Sequence, residues 1–430
     1  MKIKDIVTFV SKSITPQEGV IYNLYSLPSF DEGKTFEVLD GADIQSNKYD
    51  VPNKCILFNK LNVRFKRVWR IENQDDNKIS STEFLPLVVN ENVVDFQYCY
   101  YLLISDKITN YLCGQNTNTS GSHKRIDPNN FLNIEINLPK MSIQKQIGKT
   151  LSALDRKIEL NKQINDNLEA LAKQLYDYWF VQFDFPNEEG KPYKSNGGAM
   201  VWNEKLKREI PTSFDVKSLS EIIEVKDGTH DSPKPQDNGY FLLTSKHLTE
   251  RGLDYASAYK ISKEDYESIN KRSKVDTNDI LFSMIGTIGN SYFVEETNIN
   301  FAIKNMALFK TSAKRWFSEY LYLYLSSCDY KHYEGNSLSG SIQKFVSLRT
   351  LRDMPILYHE DIIKLFAKEV RNIITMMVNL RKENIELTKQ RDELLPILMN
   401  GQASVNYHLY VYLQLIIYCI FPHVVKINGI

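Results

Sequence analysis

A chain of 430 residues is too long for one typical core and implies at least two domains. Its 53 Lys and Arg balance 53 Asp and Glu, so no global positive field is available to a polyanion and any nucleic-acid surface must be local. Five scattered cysteines (Cys55, Cys99, Cys113, Cys328, Cys419) with no Cys-x-x-Cys pair argue against a disulfide framework or a zinc ribbon and fit a reducing cytoplasm.

The opening "MKIKDIVTFVSKSITP" has an apolar run too short for a signal peptide. "VPNKCILF", Val51 to Phe58, reads as a polar turn followed by a buried strand. "RFKRVWR" then sets Arg64, Lys66, Arg67 and Arg70 around Phe65 and Trp69. As one strand it places Arg64, Lys66, Val68 and Arg70 on a largely cationic face suited to phosphates, or simply to a solvated sheet edge. "GSHKRI", Gly121 to Ile126, is a small-residue turn that leads Ser122 into the cations Lys124 and Arg125.

From Ile147 a heptad seam begins, continuing through Leu151, Leu154, Ile158, Asn161, Asn165, Leu168, Ala172, Leu175 and Trp179. The same phase returns later in the chain, with mostly apolar occupants, at Phe366, Val370, Ile373, Met377, Leu380, Asn384, Leu387, Arg391, Leu394 and Leu398. Each segment is almost free of Gly and Pro and reaches roughly 50–60 Å as a helix. The narrow seam between charged faces predicts that the two helices pair antiparallel, with Asn165 and Asn384 meeting near the centre as a register lock. Two helices packed separately on their own domains are the alternative.

"FDFPNEEGKPYKSNGGAM", Phe183 to Met200, reads as a linker. Beyond it "KDGTHDSPKP" offers Lys226, Thr229, His230, Ser232 and Lys234 in a loop within reach of bases or phosphates, although a plain turn also explains it. "LLTSKHL" adds Ser245 and Lys246, and "SMIGTIGN" adds Thr287. "VDTNDILF" answers "VPNKCILF", and "GSIQKF", with Ser341 and Lys344, answers "GSHKRI", so a mixed globular unit followed by a long helix is used twice. The apolar stretch from Tyr407 to Val425 is broken by Gln414 and Pro422 and reads as an extension rather than a membrane span. No phosphate cradle, dinucleotide turn, His-Glu-x-x-His or Asn-Pro-Pro-Tyr motif is present, which makes binding, not turnover, the default.

In "KDGTHDSPKP", "LTSKHL", "DILFSMIGTIGN", "FAIKNMALFK" (containing Lys304), "LPILMNGQ" and "GSHKRI" the sequence resembles the DNA-specificity subunits of type I restriction-modification systems, over nearly all of residues 1–405. The resemblance implies an α+β fold. Target-recognition domains at 1–140 and 205–358 would alternate with conserved-region helices at 141–182 and 359–400, paired as an antiparallel coiled coil about a pseudo-twofold axis, with a linker at 183–204 and a tail at 401–430 of unclear role. It also implies that each domain reads one half of an asymmetric bipartite target in double-stranded DNA. The partners would be two methyltransferase subunits and ATP-dependent restriction subunits, with no membrane. S-adenosylmethionine, ATP and Mg2+ would belong to those partners, and this subunit would carry neither a cofactor nor chemistry of its own. A coiled-coil scaffold whose globular units bind proteins remains the competing reading of the residues.

Overall fold

The computed structural model describes residues 1–115, 125–249, 252–286, 288–337 and 345–402. They form two compact units, one of residues 1–159 with the described part of 385–430, the other Leu160–Asn384.

In unit 1 the strand Cys55–Asn59 is buried at every position. Ile56 and Phe58 face one apolar cluster and Cys55 and Leu57 the other, which is why its sequence is a continuous apolar run and not an alternation. It lies inside an antiparallel sheet ordered Val7–Phe9, Phe84–Val89, Cys55–Asn59, Val68–Ile71. A five-stranded sheet beside it contains one parallel pairing, Ile21–Tyr25 with Lys78–Ser80. Unit 2 repeats the plan. Its four-stranded sheet runs Val225–Asp227, Ala307–Phe309, Ile280–Phe282, Ser291–Phe293, and Tyr240–Thr244 pairs in parallel with Phe301–Lys304. In each unit the ends of the globular part are tied together, by the Lys2 to Glu135 bridge and by Asp215–Ser218 pairing with Pro355–Tyr358.

The two long helices span Met141–Tyr176 and Glu360–Met399. A π-helical turn, Asp177–Val181, extends the first and buries Trp179 and Phe180. In unit 1 Ile147 and Leu151 share a core with Leu398, and Leu394 packs against it. Asp155 Oδ1 there accepts from Arg391 at 3.0 Å, while its Oδ2 accepts from the buried Tyr101 hydroxyl at 2.5 Å. Gly148 has a specific duty in this unit. A Cβ on it would stand 2.8 Å from Asp95 Oδ1 and 2.9 Å from the Tyr98 nitrogen, where Asp95 caps the helix Phe96–Ile104. In unit 2 Ala172, Tyr176 and Phe180 share a core with Phe366, Val370 and Ile374, the Phe180 and Phe366 rings lying 5.0 Å apart. Within each unit the helix–helix contacts run in opposite chain directions.

The predicted seam residues Leu151, Leu154, Val370, Met377 and Leu380 are buried. Ile158, Asn165, Leu168, Leu175, Ile373, Asn384, Leu387 and Leu394 are half-buried, and none is exposed. The amide pairing, however, differs from expectation by about one helical turn. It is the fully buried Asn161 whose Nδ2 donates to Asn384 Oδ1 at 3.0 Å and to Glu383 Oε2 at 2.6 Å, whereas Asn165 Oδ1 finds no hydrogen-bond partner among the described residues. Equivalent sequence positions need not face each other across an antiparallel pair, because the axis relating the helices can fall between them.

The segment read as a linker folds against unit 2. Phe183 and Phe185 are buried in its core, Phe185 stacks on Tyr193 at 4.8 Å, and Met200–Asn203 forms a hairpin with Arg208–Pro211. Gly, Pro and charge set that composition, but the aromatic residues decide the packing. Among the described residues no helix is long and apolar enough to cross a membrane, and Tyr407 to Val425 lies outside them.

Candidate nucleic-acid interface

The unit 1 candidates do not form one cationic strand. The chain turns at Val63–Phe65 in a 3-10 helix flanked by Asn62 (φ 52°) and Lys66 (φ 47°), both left-handed, and the strand starts only at Val68. Val68 and Trp69 are buried on opposite faces, so side-chain alternation begins where the backbone becomes extended and not four residues earlier. Carboxylates, two of them distant in sequence, meet most of the cations. Arg67 makes two 2.7 Å bonds to Asp31, Lys66 lies 2.5 Å from Asp106, and Arg70 lies 3.0 Å from Glu72. Arg64 lies over the Phe65 ring at 4.7 Å, and Arg67 also stacks there at 4.8 Å. Arg125, bridged to Leu61, reaches Glu83 at 2.7 Å, and this hydrogen bond and charge raise its pKa. Ser122 and Lys124 lie outside the described residues.

In unit 2 the loop candidates do come together. Gly228 lets the loop pass against the strand Phe301–Lys304, since a Cβ there would sit 2.5 Å from the Ile303 carbonyl oxygen. Thr229 consequently bridges Lys304, whose ammonium bonds the Ser232 hydroxyl. His230 is held at both ring nitrogens, Nδ1 2.9 Å from Asn305 Oδ1 and Nε2 3.0 Å from Asp227 Oδ2. Asp227 also takes Arg272. Ser245 Oγ donates to the Asn305 carbonyl at 3.0 Å, while Lys246 and Lys234 are exposed. Lys226 is paired with Glu224 at 3.1 Å. Thr287, Ser341 and Lys344 lie outside the described residues. With both its ring nitrogens committed, His230 braces a surface on which Ser232 of the loop and Lys304 of the strand end can donate hydrogen bonds to anionic oxygens.

Sequence reasoning missed Asn305, Asp227 and Arg272, which position His230. The left-handed φ of 53° at Asn305 had one faint signal, an Asn following a strand. The same reasoning missed the buried turn of unit 2, where Lys310 reaches Asp276 at 2.8 Å and also bonds the fully buried Asp279. Burial opposes ionisation of Asp276, but its bonds from Lys310 and Lys274 hold its pKa below the ordinary value. Cys55, Cys99, Cys113 and Cys328 are free thiols, and among the described residues no three His, Cys, Asp or Glu are grouped to hold a metal ion.

Comparison with known proteins places this geometry. The family model for the type I restriction modification DNA specificity domain matches residues 1–170 and 211–358, taking in both globular units. The specificity subunit of type I restriction enzyme MjaIX from Methanocaldococcus jannaschii is 25% identical over 345 residues, covering 77% of this chain and 74% of that one. The HindI specificity subunit from Haemophilus influenzae is 24% identical, over 83% and 90%. The crystal structure of the type I restriction-modification S subunit from M. genitalium superposes with a TM-score of 0.55 at 15% identity, over 93% of this chain and 95% of that chain, which shows a shared fold. With the family model matched over more than half of its length, the chain belongs to the type I restriction-modification DNA specificity family.

Proposed function

We propose that this specificity subunit reads an asymmetric bipartite sequence in double-stranded DNA, with residues 1–140 recognising one half and residues 205–358 the other. The long helices, 141–182 and 359–400, pair as an antiparallel coiled coil about a pseudo-twofold axis, set the spacer and dock two methyltransferase subunits. Adenine methylation with S-adenosylmethionine, and ATP- and Mg2+-dependent cleavage by restriction subunits, are the partners' chemistry.

The observation that carries this reading is a family match spanning two globular units whose four-stranded sheets share one strand order while their loop sequences differ. A repeated scaffold with different heads favours two unlike half-sites over a palindrome. Mapping methylated adenines in a host that carries the system tests it, together with a swap of residues 205–358 for another recognition domain. One half of the target should change and the other stay, whereas a change in both would defeat the assignment.

The neutralised cations of unit 1 favour the scaffold alternative, because Lys66, Arg67, Arg70 and Arg125 already have carboxylate partners. Gel shifts at stepped salt separate the two, since specific binding with a steep salt slope has no place in a protein scaffold.

A further inference from the structure

The geometry points to an apolar wedge on each recognition head, Phe65 in unit 1 and the Ile285 and Phe345 pair in unit 2, entering between base pairs of the half-site that the head reads. This inference rests on the DNA-reading function proposed above and supplies a mode of reading that does not need free cations.

The two loops follow one plan, although Phe65 lies four residues past the bridged Leu61 whereas Ile285 and Phe345 are themselves the bridged pair. In unit 1 the chain leaves the strand Cys55–Asn59 and bridges Leu61 to Arg125, just ahead of a helix capped by Asp127. In unit 2 it leaves Ile280–Phe282 and bridges Ile285 to Phe345, just ahead of a helix capped by Ser347. Large apolar side chains are left in water at both, Phe65 at 53% exposure, Ile285 at 37% and Phe345 at 39%. Residues opposite each other in an antiparallel bridge are neighbours, so Ile285 and Phe345 act as one apolar tip.

The backbone at the first tip is unusual. Two residues with side chains, Asn62 and Lys66, hold left-handed conformations on either side of the turn, and strain of this kind persists where surrounding contacts enforce it. Those contacts are visible, because Arg67 is clamped by Asp31 and Lys66 by Asp106, which fixes the turn. Arg64 and Arg67 stack on the Phe65 ring. An apolar ring flanked by Arg64, and held in place by an Arg67 already spent on Asp31, suits a duplex in which an inserted side chain unstacks one base step and bends the helix. Specificity then follows from how easily a step is opened, which accounts for recognition by a head whose other cations are paired with its own carboxylates.

The test uses the full chain assembled with its methyltransferase subunits and a duplex bearing the mapped target, with 2-aminopurine placed in turn at each position of the first half. Wild-type binding should brighten the probe at one step by several-fold. F65A should abolish that rise and weaken binding by roughly tenfold. F65L, which keeps an apolar side chain, should retain most of both. I285S with F345S should have the corresponding effect in the second half alone. An F65A complex with wild-type affinity overturns the wedge, as does one that loses affinity while the probe never brightened in the wild type. Wild-type assemblies that bind no duplex specifically overturn the wedge and the DNA-reading function together.

Discussion

Asn161 offers a test of how the long helices hold their register. Its fully buried amide donates to Asn384 Oδ1 at 3.0 Å and to the Glu383 carboxylate at 2.6 Å. Replacing Asn161 with Leu removes both bonds, the second of them charge-assisted, at a cost of about 2–4 kcal/mol. The added apolar side chain offsets about 1–2 kcal/mol of this, for a net loss of about 0–3 kcal/mol, centred on about 1.5 kcal/mol. Asn161→Leu with Asn384→Leu removes the desolvated amides from both helices. Because Glu383 loses its donor in either case, the double variant should fall close to the wild type and no lower than Asn161→Leu alone, a coupling of about 1 kcal/mol or more. Urea unfolding followed by far-UV circular dichroism on the wild type, the two single variants and the double variant measures this cycle. If the double variant loses the sum of the single losses, the amides act independently and the register-lock reasoning fails.

Other consequences are as direct. Gly148→Ala should cost about 1–3 kcal/mol in urea unfolding even though Ala favours helix, because its Cβ meets Asp95 and Tyr98. Gly335→Ala, in a helix with nothing within 4 Å, should be neutral or slightly stabilising. Burial, and then the charge of Lys246, holds the His247 pKa below its ordinary 6.5, and its Nδ1 accepts from the Thr244 nitrogen at 2.8 Å. The unfolded chain takes up this proton near pH 6.5 while the folded chain does so only at lower pH, so stability falls as pH drops through that window. His247→Asn should flatten that part of a pH–stability profile. Lys304→Ala should weaken specific DNA binding and reduce the salt slope by about one, as read by gel shift.

The repeated plan was legible in the sequence because its signals are local: heptad phase, polar turns before apolar strands, and absence of Gly and Pro from the helices. The strand Cys55–Asn59 and its counterpart Ile280–Phe282 follow from such runs. What escaped depends on distance along the chain. Nothing near Arg67 announces Asp31, and nothing near Arg125 announces Glu83, so a cationic segment looked free where the fold neutralises it. "RFKRVWR" alternates in type as a strand does, yet left-handed Asn62 and Lys66 delay the strand to Val68. The choice of Asn165 over Asn161 came from matching positions between halves, a symmetry of sequence that does not fix which faces touch. In the second head the loop "KDGTHDSPKP" was found, but Asn305 and Arg272, which brace His230 and its partner Asp227, come from elsewhere in the chain.

The sharing of a core by Ile147, Leu151 and Leu398 has a consequence for synthesis. When the ribosome has finished the first long helix, the residues that will cover that part of its stripe are still untranslated. Roughly 220 residues must follow before Leu394 is made, about 11–44 s at about 5–20 residues per second. Throughout that interval the nascent first unit carries an uncovered aliphatic strip, a natural place for a chaperone to wait until the last helix arrives.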